Sequence, residues 1–334
     1  MATTNRQILL KSRPAAAPSA ANFELVETPV PEPRDGEVLL RTLYLSLDPY
    51  MRGRMSAGPS YAAPAEVGQP MVGGTVSEVA ASRHPGFAKG DIVSSYVGWQ
   101  DYAVSNGAGL TKLDPKMVKP ISLALGLLGM PGMTAYAGLM EIGQPKPGET
   151  VVVSAASGAV GSVVGQLAKL KGCRAVGVAG GPEKCKFVVE TLGFDACVDH
   201  KGDNLRERIA EACPKGIDVY FENVGGATQR ALWPLLNNFS RVAVCGMIAS
   251  YNDPAPQPGP DLRTVLVKRM TVRGFIVTEL WPKYPNAFGE LADWYHQGKI
   301  KYREDVVEGL EKAPEAFLGL LQGKNFGKLA VKVG

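Results

Sequence analysis

The string Val151-Val152-Val153-Ser154-Ala155-Ala156-Ser157-Gly158-Ala159-Val160-Gly161 has the residue types and spacing of a phosphate cradle. A short apolar run enters small residues, and a helical pattern follows at once. In such a turn Gly158 lets backbone approach a pyrophosphate, and Gly161 lets the helix lie close to the strand. The N–H groups opening the helix, at Ala159 and Val160, face the phosphates, and the helix field reinforces them. Ala156 stands where the first glycine of the fingerprint is usual, so the pattern is a variant. The next strand ends in Ala179-Gly180-Gly181, where a carboxylate normally receives the adenosine ribose hydroxyls. No carboxylate is there, and Lys184 and Lys186 follow shortly. Lys184 at the start of the second helix and Lys201 after the next strand suit a 2′-phosphate, which binds ammonium groups strongly. The expected cofactor is NADP(H), not NAD. The competing readings are a glycine-bearing helix start in an unrelated α/β domain and two solvated surface lysines.

Metal chemistry finds little support. The chain has three His, at 84, 200 and 296. His84 precedes Pro85 in a turn and His296 falls late in a helical pattern, both surface settings. The first 170 residues hold no Cys, so neither a Cys ligand for a catalytic zinc nor a close Cys cluster is available there. No metal ligands are expected, and some other group must steady the oxygen on which charge develops.

The elements that would position these residues divide the chain in two. Up to about residue 125, short apolar runs at 38–43, 71–79 and 91–97 are broken by Gly and Pro, the pattern of a small bent β barrel or sandwich. Helices are expected over 122–129 and 133–141, separated by Pro131-Gly132. Strands and helices then alternate: strands near 151–154, 176–179, 196–199, 217–224, 241–247 and 271–277, with helices over 159–170, 182–192, 204–212, 228–236 and 288–297. That order means a parallel sheet covered on both faces. The first helix should turn Val160, Val163, Val164, Leu167 and Leu170 inward. The proline-rich residues 252–260 exclude a helix interior or a central strand. Strands at 306–308 and 326–333, with a helix at 314–321, carry the tail back to the first domain. The expected fold is α/β with a β-rich first domain. Residues 1–125 and 305–334 form the substrate or catalytic domain, and residues 126–304 the cofactor domain.

Composition narrows the class further. The formal net charge is +4 in 334 residues, and no basic run is interleaved with aromatics, so nucleic acid is not an expected partner. No apolar stretch approaches the length of a membrane span. Five Cys, an odd count without a disulfide framework, suit a reducing compartment. The first 23 residues are basic like a targeting peptide, but residues 7–11 read as a strand and 14–20 as a loop. A cytoplasmic protein is expected.

Asn5-Arg6-Gln7-Ile8-Leu9-Leu10, Leu47-Asp48-Pro49-Tyr50-Met51-Arg52-Gly53-Arg54, the cradle itself, Phe221-Glu222-Asn223-Val224-Gly225-Gly226 and Gly323-Lys324-Asn325-Phe326-Gly327-Lys328 carry a further signal. Together they resemble the zinc-independent medium-chain dehydrogenase/reductases over essentially the whole chain. The likeness is greatest to the NADPH-dependent alkenal double-bond reductases, a group that includes prostaglandin and curcumin reductases. The resemblance implies a GroES-like first domain, a Rossmann second domain, a cleft between them, and a homodimer. It implies reduction of the carbon–carbon double bond of an α,β-unsaturated aldehyde or ketone. By motif position it assigns Lys184 and Lys201 to the 2′-phosphate, with His200 replacing the usual tyrosine of that segment. An imidazole bonds to phosphate better when protonated. Asn223, Asn325, Cys245, Gly246, Phe275 and Val277 are assigned to the cofactor as well. Tyr251 and Tyr50 are the implied substrate-facing tyrosines. Tyr251 is the first candidate to donate to the forming enolate oxygen, while Tyr50 orients or bonds to the substrate. Packing at a domain boundary is the competing role for both. Two other functions stay open at this stage: a quinone reductase on the same domains, and an NADPH-binding interaction or sensor protein with little turnover.

Overall fold

The computed structural model describes residues 4–255 and 257–334. The chain forms two compact units, Met1–Leu125 with Glu304–Asn325 and Leu329–Gly334, and Gly126–Arg303 with Phe326–Lys328.

The first unit opens with an antiparallel pair, β1 (Thr4–Leu10) and β2 (Phe23–Pro29). Strands β3 (Val38–Ser46), β4 (Thr75–Ser82), β5 (Ile92–Ser95), β6 (Tyr102–Ser105) and β7 (Thr111–Lys112) begin its larger sheet, all antiparallel. Residues 71–74, expected as strand, lead into β4 as extended loop. A short helix that the sequence reading missed, α1 (Tyr50–Arg54), starts on Pro49, whose fixed φ of −58° already suits a helix.

Helix α2 (Met130–Gly138) opens the second unit. The expected helix over 122–129 is instead a short 3-10 helix, Ile121–Leu125, followed by a turn over 126–128. Pro131-Gly132 do not separate two helices. They lie in the first turn of α2, where a missing N–H costs nothing. Gly132 is required there, since a Cβ would fall 1.8 Å from the Leu127 carbonyl oxygen.

Six parallel strands follow: β8 (Thr150–Ser154), β9 (Arg174–Ala179), β10 (Ala196–Asp199), β11 (Ile217–Glu222), β12 (Leu236–Val244) and β13 (Thr271–Gly274). Their spatial order is β10-β9-β8-β11-β12-β13, the doubly wound order that reverses between β8 and β11. Every residue of β8 is buried, which is why it reads as an unbroken apolar run. The connecting helices are α3 (Gly161–Leu170), α4 (Pro182–Glu190), α5 (Leu205–Ala212), α6 (Gly226–Leu232), α7 (Leu262–Lys268), α8 (Val277–Leu280) and α9 (Ala287–His296). Helix α3 buries Val163, Val164, Leu167 and Ala168, whereas Leu170, expected inside, is exposed in its last turn. Gly165 faces the Phe194 ring, where a Cβ would fall 1.8 Å from a ring carbon. Strand β12 begins at Leu236, which the sequence reading gave to the preceding helix, and α7 was not foreseen. Val277, expected at a strand end, opens α8.

The tail supplies β14 (Glu304–Glu308), α10 (Ala313–Leu321) and β15 (Lys328–Lys332). The larger sheet then runs β14-β15-β3-β4-β5-β7, with β6 also on β3. The return has an apolar cause. Phe317 of α10 meets Phe23 and Trp99 edge-on at 6.3 and 5.8 Å, and those two rings stack at 5.5 Å. Trp99 and Phe317 are fully buried.

Candidate active site

Parallel strands end on one edge, so the residues that follow β8, β9, β10, β11 and β12 collect there. Ala155 leaves β8 with φ +52°, a left-handed conformation that costs an L-residue about 1 kcal/mol. The turn holds because Gly158 N–H bonds the Ala155 carbonyl at 2.9 Å. Ala156, in place of the first glycine, is fully buried. Room for its methyl comes from the neighbouring strand: a Cβ on Gly177 would fall 2.7 Å from the Ala156 Cβ. The small residue has moved from the turn to β9. Gly161 cannot carry a side chain, since its Cβ would meet the Ala155 oxygen at 2.3 Å. The cradle is therefore shaped for close approach, and α3 starts on it through the Ser162 N–H, which bonds the Gly158 carbonyl at 3.1 Å. Gly161→Ala should lower the melting temperature by several degrees, from overpacking of about 1–3 kcal/mol. It should also weaken dinucleotide binding, and a variant matching wild type in both calorimetry and titration would remove this role.

At the ends of β9 and β10 the structure gathers cations. His200 Nε2 and Lys201 Cε lie 2.8 and 3.3 Å from where a Cβ on Gly180 would stand, so Gly180 makes room for both. Lys184 of α4 is close enough to act on the same imidazole. One carboxylate is also present. Asp199, from β10 and not β9, accepts the N–H groups of Gly181 at 2.8 Å and Lys201 at 3.0 Å, both on Oδ1. Those bonds hold its carboxyl below the usual carboxylate range and engage it in shaping the loop. Arg208 braces the same loop through the Asp199 carbonyl at 2.7 Å. Asp199 and Arg208 were missed as site residues, because only the pairing of β10 with β9 brings them there.

Burial holds the His200 imidazole below its ordinary range. Asp199 pulls the other way, while Lys201 and Lys184 add to the lowering. At neutral pH the ring is neutral and offers a phosphate one N–H. As pH falls through that depressed pKa, the ring gains a charge and a second donor. The NADPH-to-NADH affinity ratio of wild type should therefore rise, relative to His200→Gln, as pH drops below about 6.5. Titration of the 2′-phosphate is common to both proteins, so the difference reports the imidazole. Parallel pH profiles in cofactor titrations would exclude a phosphate contact by His200.

Across the sheet, Glu222 organises the loops after β11 and β12. It is fully buried, and its Oε1 accepts from Ser154 Oγ at 3.0 Å, Val224 N–H at 2.8 Å and Gly225 N–H at 2.9 Å. Its backbone carbonyl accepts the N–H groups of Cys245 and Gly246 at 2.9 and 3.1 Å. An acid closing the apolar run Val219-Tyr220-Phe221 was the signal that could have found it. Asn223 is also bound inward: its Nδ2 donates to the Ser154 carbonyl at 2.8 Å, and its N–H to Ser154 Oγ at 2.8 Å. The Cys245 thiol is pushed up to about 12 by burial, with Glu222 adding to the effect. The 3-10 turn Ile248–Ser250 then brings Tyr251 back over Gly246, where a Cβ would stand 3.1 Å from the phenol oxygen. Met247 N–H donates to Tyr251 Oη at 3.3 Å.

The remaining expected site residues lie apart from this cluster or face inward. Phe275, half-buried, packs edge-on to Phe221 at 6.1 Å, and Val277 is buried. In the first unit Tyr50 Oη lies 2.7 Å from Tyr96 Oη, a partner the sequence did not suggest. Burial, with Asp48 next, drives the Tyr50 pKa far up, so the phenol keeps its proton. Asn325 is placed two residues before Gly327, which bridges Gly158 within the second unit. Among the described residues no three His, Cys, Asp or Glu converge as a metal site.

The family described as the N-terminal domain of oxidoreductase matches residues 6–113, and that described as zinc-binding dehydrogenase matches residues 159–296. The NADPH-dependent curcumin reductase of Escherichia coli is 54% identical over 98% of this chain and 97% of its own. The chain belongs to the zinc-independent medium-chain dehydrogenase/reductases. Prostaglandin reductase 1 of mouse is 45% identical, covering 97% of each chain. The crystal structure of CurA from Vibrio vulnificus in complex with NADPH superposes with a TM-score of 0.95 at 52% identity, covering 98% of this chain and 99% of that one. The fold is thus the GroES-like β domain and Rossmann-type parallel sheet of these reductases.

Proposed function

We propose that this reductase uses NADPH to saturate the carbon–carbon double bond of α,β-unsaturated aldehydes and ketones. The observation that carries the reading is the joint presence, on one sheet edge, of a glycine cradle, a cation cluster and Tyr251. NADPH supplies the hydride when bound. The turn Ala156–Gly161, with the N–H groups of Ala159 and Val160 at the helix start, suits the pyrophosphate, and Lys184, His200 and Lys201 suit the 2′-phosphate. As the substrate's β-carbon accepts the hydride, charge grows on its carbonyl oxygen. Tyr251, whose oxygen already accepts from Met247 N–H, turns its own O–H to that oxygen as a hydrogen-bond donor. Tyr50, kept protonated beside Tyr96, retains the substrate-facing role that its motif implies. The cofactor assignments of Asn223, Cys245, Gly246, Phe275 and Val277 become contacts through backbone or the remaining side-chain atoms. Asn325 retains the cofactor role that its motif implies.

The test is NADPH oxidation with a short 2-alkenal, an enone and a quinone, with product identification. Saturated aldehyde and ketone products are expected. Carbonyl reduction, or turnover of the quinone alone, would overturn the reading, and tight NADPH binding without turnover would make the chain a sensor.

We also infer a homodimer. Strand β13 ends the sheet and is exposed throughout, and Leu262, Leu266 and Val267 of α7 stand exposed nearby with Val272. An edge strand beside apolar side chains favours pairing with a second copy. Light scattering should give a dimer for wild type and a monomer for Leu266→Glu with Val272→Lys; a monomeric wild type removes the inference. No helix among the described residues is long and apolar enough to cross a membrane. The five free thiols support a place in the reducing cytoplasm.

A further inference from the structure

Two thiols lie beside the cation cluster without a part in the chemistry above. Cys197 sits in β10, in register with Gly177 of β9. A Cβ on Gly177 would fall 3.2 Å from the Cys197 sulfur and 3.0 Å from Val188 of α4. The glycine thus leaves the space in which that sulfur lies beneath α4. Cys185 is in the first half of α4, with its N–H bonded to the Gly181 carbonyl at 3.1 Å. Cys185 lies three residues before Val188, on the face of α4 that covers the Cys197 sulfur, and the two thiols interact. Both are free and partly accessible.

The pair bridges the two segments that carry the cations. Cys185 follows Lys184 directly, and Cys197 precedes Asp199, the loop's tie to Gly181, by two residues. The Cys197 S–H favours the thiolate at Cys185, and Arg208 adds to this against the effect of burial and Asp199. A partly accessible thiol whose ionisation is eased, with a second thiol beside it to resolve the oxidised sulfur, is the arrangement that peroxides convert to a disulfide.

We propose that Cys185 and Cys197 are a covalent modification site, oxidised by hydrogen peroxide to a disulfide that fastens α4 to β10 and draws Lys184 off the 2′-phosphate. Cys185 sulfur attacks a peroxide oxygen; the S–O bond forms, the O–O bond breaks, and hydroxide leaves as water. Cys197 sulfur then attacks Cys185 sulfur; the S–S bond forms, the S–O bond breaks, and a second water leaves. Two thiols lose two protons and two electrons, and one peroxide becomes two waters. The consequence for the cofactor rests on the NADPH reading above; the bridge itself does not.

The full-length reduced protein is treated with hydrogen peroxide, quenched with N-ethylmaleimide, and analysed by intact mass and peptide mapping. The expected product has lost two hydrogens and contains the 185–197 cross-linked peptide. Its Kd for NADPH should rise about tenfold, a change of about 1.4 kcal/mol, with that for NADH nearly constant. Dithiothreitol should restore it. Cys185→Ser and Cys197→Ser should each keep the reduced protein's activity and abolish the bridge. Oxygen addition at separate thiols, or a bridge that leaves NADPH affinity unchanged, overturns the proposal. A reduced protein that binds no NADPH overturns the cofactor reading instead, and the mapped peptide still decides the bridge.

Discussion

Lys184→Ala should raise the Kd for NADPH about 10- to 100-fold and leave that for NADH within about twofold. The side chain is half-buried on the first turn of α4, and its charge acts on the imidazole of His200. A charge-assisted bond to a phosphate is worth about 1.5–3 kcal/mol, which sets the size of the loss. NADH has no 2′-phosphate and loses none of it. Lys201→Ala should act in the same direction with a smaller effect, since Lys201 is more exposed. Fluorescence titration with both cofactors measures this directly. Equal weakening for NADPH and NADH would withdraw the 2′-phosphate from this cluster. Asp199 makes the experiment sharper. It is a carboxylate beside the cation cluster that could otherwise serve ribose hydroxyls, and the Gly181 and Lys201 amides occupy its Oδ1.

Tyr251→Phe should cut kcat for an enone about 100-fold at saturating NADPH, with NADPH affinity nearly intact. The expected size is that of removing one donor from an oxygen on which charge develops. The geometry favours a donor role because the Met247 amide already fills an acceptor position on the phenol oxygen at 3.3 Å. Phe keeps the ring over Gly246 and deletes only the hydroxyl. Unchanged turnover would leave Tyr251 as packing. A parallel loss in KM and kcat with a lower melting temperature would show a disturbed loop, not a missing donor.

Both results depend on supports that lie elsewhere in the chain. Tyr251 is held by the loop that Glu222 anchors through Cys245 and Gly246. Lys184 is held by the turn that Asp199 closes. The Tyr251 loop hangs on the Glu222 backbone carbonyl, while the Glu222 and Asp199 carboxylates each fix a neighbouring turn by accepting backbone N–H groups, which is how a parallel sheet presents a precise edge from its loops.

What the sequence determined by itself was local. The apolar run of β8, the glycines at 158 and 161 and the helix after them belong to one contiguous stretch, so periodicity and turn chemistry suffice to read it. The alternation of strands and helices likewise implied a parallel sheet. Local rules failed where one residue type serves two settings: Pro131 opens α2 and does not break it, and Leu170 is apolar yet faces solvent in the last turn of α3. Only the tertiary structure decided which distant residues meet. The turn after β8 folds Ala156 back over Gly177, and the pairing of β10 with β9 brings Asp199 within hydrogen-bond reach of Gly181. The same holds for Tyr50 with Tyr96, and for Phe317 with Trp99 and Phe23, whose burial draws the tail into the first unit. Such contacts depend on separation in space, which a linear pattern of residue types does not encode.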